Sequence, residues 1–328
     1  MCSAIAWRSD RAPSGDAWEG AAVSVVPSRS PHSLLHFFPQ FLRLRRRDFG
    51  GVATLLAETG LSRPALFQLV RLAEEPARRG TVETLRPGYP YTTQDIHLPW
   101  LAEMQASGYV TQDGETYALT GRGLDVVVRL EGAATAYLAA LTPLPTEELA
   151  ALAAALRDVA AGLDRQAADV GAHLHRADRL AALTPLPEDA PLIAIERAIY
   201  ALWMARDDAH IDAWNSARFP PQPLAILTTL WHGEVDSLEG LSAALAPGLS
   251  AGEIAAFLEE LLEQGYVEWR LGVLQPTRAG YNVREQIEGD TDDLYYRQWP
   301  DLDSATVNRL YDLLTRLLAA LSEAPPQH

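Results

Sequence analysis

Residues 101–143 read LAEMQASGYVTQDGETYALTGRGLDVVVRLEGAATAYLAALTP, and residues 258–300 read LEELLEQGYVEWRLGVLQPTRAGYNVREQIEGDTDDLYYRQWP. The two stretches align without a gap at a separation of 157 residues. The residues that recur unchanged in the second stretch are Leu101, Glu103, Gly108, Tyr109, Val110, Thr120, Gly123, Val126, Glu131, Gly132 and Pro143. Such self-similarity indicates an internal duplication, so we expect two copies of one folding unit.

Each copy carries the sequence signals of a helix, a short hairpin and a long helix. Gly108 and Gly265 mark the end of the first helix, because glycine readily takes the positive φ that stops a helix. Two short apolar runs follow, separated in the first copy by Asp113-Gly114, a strong hairpin signal. A Thr-x-x-Gly sequence then opens a helix of about 20 residues, and a proline ends it before a capped, leucine-rich helix. The sequence therefore predicts a mainly α fold of two winged helix-turn-helix units with long helical extensions.

The order of these signals, with G-Y-V before the hairpin and T-x-x-G after it, resembles the winged-helix repressors of the MarR (multiple antibiotic resistance regulator) type. The resemblance implies a DNA-binding transcriptional regulator in which two fused copies imitate the homodimer of that family, as a single-chain pseudo-dimer. The expected domains are a flexible tail (1–33), a first winged-helix domain (34–165), a connecting helix and linker (166–190) and a second, acidic and degenerate domain (191–328).

Charge is unevenly distributed along the chain. The formal net charge is −16, and all 27 basic residues are arginine. Residues 1–90 hold 12 arginines against 8 acidic residues, whereas residues 91–328 hold 15 against 35. We therefore expect any anion-binding surface early in the chain, since the acidic remainder repels DNA unless it faces away.

Composition also restricts the class of protein. The one cysteine, Cys2, argues against a disulfide framework and a cysteine-rich zinc site. No apolar run approaches the roughly 18 residues of a membrane span, and the N-terminus lacks the apolar core of a signal peptide. We expect a cytoplasmic protein, monomer or homodimer, that needs no cofactor and does not contact a membrane.

The segment TTQDIHLPWLAEMQ, which begins at Thr92, corresponds in the resemblance to the recognition helix that lies in the DNA major groove. The residues assigned to DNA contact are Arg78, Arg79, Arg86, Thr92, Thr93, Gln94, His97 and Arg122. Pro99 departs from the family pattern and should kink or restart the helix. The wing is also shorter than in the family, and its nearest basic residue, Arg122, lies at its base.

The second copy is unsuited to phosphate contact. No arginine or lysine occurs between Arg218 and Arg270, although that interval contains eight acidic residues. Any binding of double-stranded DNA should therefore rest mainly on the first copy. The alternative is a winged-helix protein-interaction or ligand-sensing module that has lost DNA binding.

MarR-like proteins often hold small aromatic or anionic effectors where the helical extension meets the winged helix. The tryptophans that could line such clefts here are Trp100, Trp203, Trp214 and Trp231. A plain core role is the alternative. Two further features each have two interpretations. The arginine run 43–47 is either a solvated helix end or a contact with nucleic acid or a partner. The Ala- and Leu-rich helices form either a dimer interface or packing within the domain.

Two motifs could be mistaken for sites. Asp207, Asp208, His210 and Asp212 lie close together, but spacing implies no further metal ligand, so we expect a solvated helix face. Residues 248–252 match G-x-S-x-G, yet the only later histidine is at the C-terminus. We interpret Ser-x-x-Glu within this motif as a capping box and the chain as a non-enzyme.

Overall fold

The computed structural model describes four stretches of the chain, residues 29–85, 90–93, 96–166 and 190–323. Most of the predicted tail and of the predicted connecting segment lies outside these stretches. So do Arg86 and Gln94, two of the residues assigned to DNA contact.

The described part of the chain is mainly helical, as the sequence predicts, with five short strands. The N-terminal half (residues 29–166) contains α1 (Phe37–Leu44), α2 (Gly51–Thr59), α3 (Arg63–Glu74), β1 (Arg79–Gly80), α4 (Val82–Leu85), α5 (His97–Ala106), β2 (Val110–Asp113), β3 (Thr116–Leu119), α6 (Gly121–Ala140) and α7 (Thr146–Gln166). The C-terminal half (residues 190–323) contains α8 (Pro191–Ser216), α9 (Pro221–Trp231), α10 (Leu238–Leu245), α11 (Ala251–Glu263), β4 (Val267–Arg270), β5 (Val273–Pro276), α12 (Arg278–Tyr296) and α13 (Ser304–Glu323).

The Thr-x-x-Gly sequences begin the long helices α6 and α12. The hydroxyl of Thr120 accepts a hydrogen bond from the N–H of Gly123 at 3.0 Å, and Thr277 accepts one from Gly280 at 3.1 Å. A Cβ on Gly123 would stand 2.2 Å from the carbonyl oxygen of Tyr109, and one on Gly280 would stand 2.1 Å from the corresponding carbonyl. Glycine is therefore required where each long helix crosses the base of its hairpin.

The base of each hairpin is held by the same bonds at positions 157 residues apart. Gly108 and Gly265 have φ of +73° and +72° and end the helix before each hairpin. The Thr120 hydroxyl donates to the carbonyl of Gly108 at 3.0 Å, and the Thr277 hydroxyl donates to that of Gly265 at 2.7 Å. Sequence recurrence is thus accompanied by recurrence of local contacts.

Each hairpin also receives a third segment. In the N-terminal half β1 pairs antiparallel with β3, with Arg79 opposite Ala118. In the C-terminal half the N–H of Leu274, on β5, donates to the carbonyl of Asp236 at 2.7 Å. Arg79 and Asp236 are again 157 positions apart.

Helix α8 is the centre of the larger core. Eighteen of its 26 residues are buried, because it packs against α7, α12, α1 and α6 rather than facing solvent on one side. Helix α1 packs in turn against α13. The first helix of each half therefore contacts the last helix of the other half. A second, smaller core joins α3, α5, α6 and the first hairpin.

Candidate nucleic-acid interface

Helix α5, which the sequence predicts as the recognition helix, begins at His97 rather than near Thr92. Pro99 lies in its first turn, where no backbone N–H has a partner inside the helix, so the ring is tolerated. The residues exposed along α5 are Leu98, Pro99, Ala102, Gln105 and Ala106. Gln105 is the one polar side chain on this surface that can contact a DNA base, and the surface carries no charge.

The assignment of His97 to base contact is wrong. Its side chain is fully buried, with Nδ1 3.3 Å from Oε1 of Gln68 on α3 and its ring edge-on to Trp100. Gln68 is itself fully buried, so the pair satisfies part of its hydrogen-bonding capacity inside the small core. His97 therefore helps to fix α5 on α3.

The segment before α5 contacts the C-terminal half. The ring of Tyr91 lies 5.3 Å from that of Trp214 on α8. The carbonyl of Thr92 accepts a hydrogen bond from Nε2 of Gln222 at 3.2 Å. The side chain of Thr93 bonds to the carboxylate of Glu253 on α11. Thr92 and Thr93 are partly buried, so their predicted contact with DNA competes with these bonds.

Arg78 and Arg79 are two of the arginines predicted to contact DNA. Both are exposed, and Arg79 lies on the edge strand β1. Arg122 is also exposed, but its guanidinium donates to the carbonyl of Ser107 at 3.1 Å and to the hydroxyl of Tyr109 at 3.3 Å. Arg122 therefore braces the base of the first hairpin, and a phosphate would have to displace these bonds.

Helices α10 and α11 form the helix-turn-helix of the C-terminal half. The predicted capping box is confirmed: the Ser250 N–H donates to the Glu253 carboxylate at 2.8 Å, and the Ser250 hydroxyl accepts from the Glu253 N–H. These bonds hold the pKa of Glu253 below its usual range. The residues exposed along α11 are Ala251, Gly252, Ala255, Ala256, Glu259 and Glu263. This side carries no hydrogen-bond donor in its side chains and no positive charge.

A buried ion network joins α8 to α12. Arg206 pairs with Glu288 and, at 3.2 Å, with Asp292. Arg284 pairs with Glu288 at 2.8 Å and donates to the hydroxyl of Thr228 at 2.9 Å. Burial opposes the charge of Glu288, yet the two guanidiniums hold its pKa below the usual range. The network compensates charges that are costly to bury unpaired.

The predicted solvated face around Asp207 and Asp208 is wrong. Asp208 and His210 are buried, and Nδ1 of His210 lies 2.8 Å from the hydroxyl of Thr291 on α12. Burial lowers the pKa of His210 to about 3 and raises that of Asp207 to about 7. The prediction failed because α8 packs against several helices, α12 among them, and has buried residues on all its sides. In the described residues, no group of three or more potential ligands is placed to hold a metal ion.

The tryptophans proposed for an effector cleft have different environments. Trp203 and Trp214 are buried in the larger core. Trp100 is partly buried against the smaller core. Trp231 is partly buried, and its Nε1 donates to Glu285 at 3.1 Å while the Arg284 guanidinium lies 5.2 Å from its ring. The surroundings of Trp203 and Trp214 favour the packing role.

The arginine run at the end of α1 contacts α8. Arg45 and Arg46 both pair with Glu196, Arg46 at 2.8 Å, and all three side chains are largely buried. Arg47 pairs with Asp48 at 2.9 Å. Arg45 and Arg46 therefore form an internal contact, whereas Arg43 and Arg47 are exposed.

A family model described as a helix-turn-helix family matches residues 124–326, more than half of the chain. The chain belongs to this helix-turn-helix family. Membership suggests a DNA-binding, regulator-type role and favours a non-enzyme. The match includes α10, α11 and the second hairpin, whereas α3, α4 and α5 precede it. No match was found among curated proteins or among solved structures.

Two features of the helix-turn-helix protein were not anticipated from its sequence. Tyr91 anchors the segment before α5 to α8, and nothing in the local pattern signals a partner more than 100 residues away. The tip of the second hairpin exposes Trp269 and Leu271, which the alternation W-R-L-G-V could have indicated. None of the described helices combines the length and apolar character that a membrane span requires.

Proposed function

We propose that this helix-turn-helix protein is a transcriptional regulator built as a single-chain pseudo-dimer of two MarR-like winged-helix units, residues 34–165 and 191–328, acting in the cytoplasm. The observation that carries the proposal is the family match together with the helix-turn-helix of α10 and α11. The recurrence of hairpin-base bonds 157 residues apart supports two units. The reciprocal packing of α1 on α13 and α8 on α7 supports a dimer-like arrangement.

DNA contact in this proposal lies mainly in the first unit. Arg79 occupies the outer strand of the first wing sheet, and Asp236 occupies the matching place beside the second. The charge at this place is therefore reversed between units. Arg78 and Arg79 are exposed and can meet phosphate, whereas the exposed side of α11 adds negative charge.

The test is a gel shift with the duplex upstream of the protein's own coding region, measured over a range of salt concentrations. Replacing Arg78, Arg79 and Arg86 with alanine should weaken binding and lower the slope of log K against log salt by about 0.9 for each phosphate that arginine no longer neutralises. Glu259→Lys, on the exposed side of α11, is the matched control and should tighten non-specific binding. If the arginine variants keep full affinity while changes in α11 abolish it, the DNA-contacting unit is the second one.

A second candidate is an interaction or ligand-sensing module without DNA affinity. It is favoured by the alanine, glycine and glutamate surface of α11 and by the bonds that Thr92 and Thr93 make within the protein. Absence of any duplex binding at low salt would decide for it. A small aromatic effector is tested by titrating tryptophan fluorescence with salicylate, and a saturable change that Trp231→Phe removes would place the ligand beside Arg284.

A further inference from the structure

Residues 91–93, which we call the strap, lie shortly before α5 and are bound at each position to the C-terminal half. The contacts are Tyr91 with Trp214 on α8, Thr92 with Gln222 on α9, and Thr93 with Glu253 on α11. Apolar contact accompanies these bonds, because a Cβ on Gly248 would stand 3.1 Å from the methyl carbon of Thr92. Partners on three different helices therefore fix the strap against the other half.

The strap meets the turn that precedes α11, which is its counterpart in the second unit. At the separation of 157 residues, Tyr91 corresponds to Gly248 and Thr93 to Ser250. Thr92 therefore packs against the residue that matches its own neighbour. Contact between matching positions places the starts of α5 and α11 on either side of one junction.

The junction limits how far apart the two helices can begin. The four residues from Thr93 to His97 span at most about 14 Å, even when fully extended. The hydrogen bond between the side chains of Thr93 and Glu253 keeps their Cα atoms within about 10 Å of each other. His97 and Glu253 are thus no more than about 24 Å apart. Recognition helices in successive major grooves stand about 34–36 Å apart, so α5 and α11 cannot both reach such grooves while the strap is bound.

Glu253 also brings negative charge close to the start of α5. Its carboxylate accepts hydrogen bonds from the N–H and the hydroxyl of Ser250, at 2.8 and 2.7 Å, and bonds to the side chain of Thr93. A DNA phosphate that approached Thr93 would be repelled by this carboxylate and would find the threonine already bonded. The second unit therefore competes with DNA for the strap.

We propose that the strap is an autoinhibitory contact: DNA binding by the first unit requires residues 91–93 to leave Gln222, Gly248 and Glu253. The inference rests on the proposed function, since it concerns the regulation of that DNA contact. Apparent affinity is lowered in proportion to the fraction of molecules in which the strap is free. Any ligand or substitution that weakens the strap should therefore tighten DNA binding.

The first test locks the strap. In a Cys2→Ser background, Thr92→Cys with Gly248→Cys should form a disulfide on mild oxidation, because the two positions are in contact. The oxidised protein should bind the duplex upstream of its own coding region at least about tenfold more weakly than the same sample after reduction. Reduction restores the unlocked chain and so serves as the control for folding.

The second test releases the strap. Gln222→Ala with Glu253→Gln removes the bond to Thr92 and the charge beside Thr93, while glutamine can still close the capping box of α11. This release variant should bind the same duplex about tenfold more tightly. Glu259→Gln, which removes an equal charge from an exposed position of α11, is the matched control and should change affinity by about twofold or less.

The inference is overturned if the cysteines form no bridge, if the oxidised and reduced forms bind equally, or if the release variant binds no more tightly than Glu259→Gln. Weaker binding by the release variant would show instead that the strap positions α5 for DNA. Where the reduced protein binds DNA in these cases, the proposed function stands. If no form of the protein, reduced or released, binds a duplex at low salt, the proposed function fails together with this inference.

Discussion

Asp207 and His210 lie on the same buried helix, and their ionisation changes the stability of the protein in opposite directions as the pH changes. The pKa of His210 is lowered to about 3, so its contribution to stability is present above about pH 6.5 and is lost as the pH falls. The pKa of Asp207 is raised to about 7 by burial, against the pull of Arg206. Its contribution has the opposite sign: it is present near pH 4 and is lost as the pH rises through 7.

Asp207→Asn should therefore stabilise the protein only at higher pH, because the amide stays neutral where the carboxylate must ionise. The free energy of unfolding of the variant, measured by urea denaturation, should equal that of the wild type near pH 4 and exceed it above pH 7. A difference that does not change with pH would show that Asp207 is ionised normally.

Gly123 is the most constrained glycine of α6. Gly123→Ala should lower the free energy of unfolding by about 1–3 kcal/mol, because its Cβ would stand 2.2 Å from a backbone oxygen that cannot move freely. Gly132→Ala, in the same helix with nothing within 4 Å of the added atom, should instead raise it by up to about 1 kcal/mol. Similar effects at both positions would argue against a close approach at Gly123.

At the scale of elements, the sequence predicts the helices and turns whose conformation depends on neighbouring residues. It fails where contact with a distant segment of the chain determines the structure. Gly108, Thr120 and Gly114 announce the hairpin and the helices beside it, since their conformations follow from neighbouring residues. The turn itself is formed by Gly114 and Glu115, one residue later than the predicted Asp113-Gly114. The start of α5 could not be predicted, because Tyr91 and its neighbours bind the other half. The pairing of Arg45 and Arg46 with Glu196, which lies 151 and 150 residues away, could not be predicted either.

Glu196 is the carboxylate that pairs directly with Arg45 and Arg46 at the junction of α1 and α8. Glu196→Gln should destabilise the protein by about 3–5 kcal/mol, because it removes the paired countercharge of two largely buried guanidiniums. The control is Asp312→Asn. The Asp312 carboxylate is exposed where it pairs with Arg29, so this ion pair should contribute no more than about 1 kcal/mol to stability. Equal losses in thermal unfolding would show that the junction is held by apolar contacts alone.

At the scale of the whole molecule, neither half covers its own apolar surface. Helix α8 is buried on the α7 side only when both halves are present. Residues 190–323 expressed alone should therefore aggregate or bind a hydrophobic dye. Co-expression with residues 29–166 should give a 1:1 complex, detected by sedimentation. A fragment that is monomeric and unfolds cooperatively by itself would contradict this dependence.

The α1–α13 and α7–α8 contacts both join the two halves but are separately encoded. In a homodimer any substitution at the interface occurs twice, and dilution separates the subunits. Here a mutation alters one side only, and the partner is always present at the same effective concentration. The two halves can thus diverge without losing each other, as the arginine at position 79 and the aspartate at 236 illustrate. In such a fused pair, one half can retain a surface that binds one kind of partner, while the corresponding surface of the other half binds a second kind.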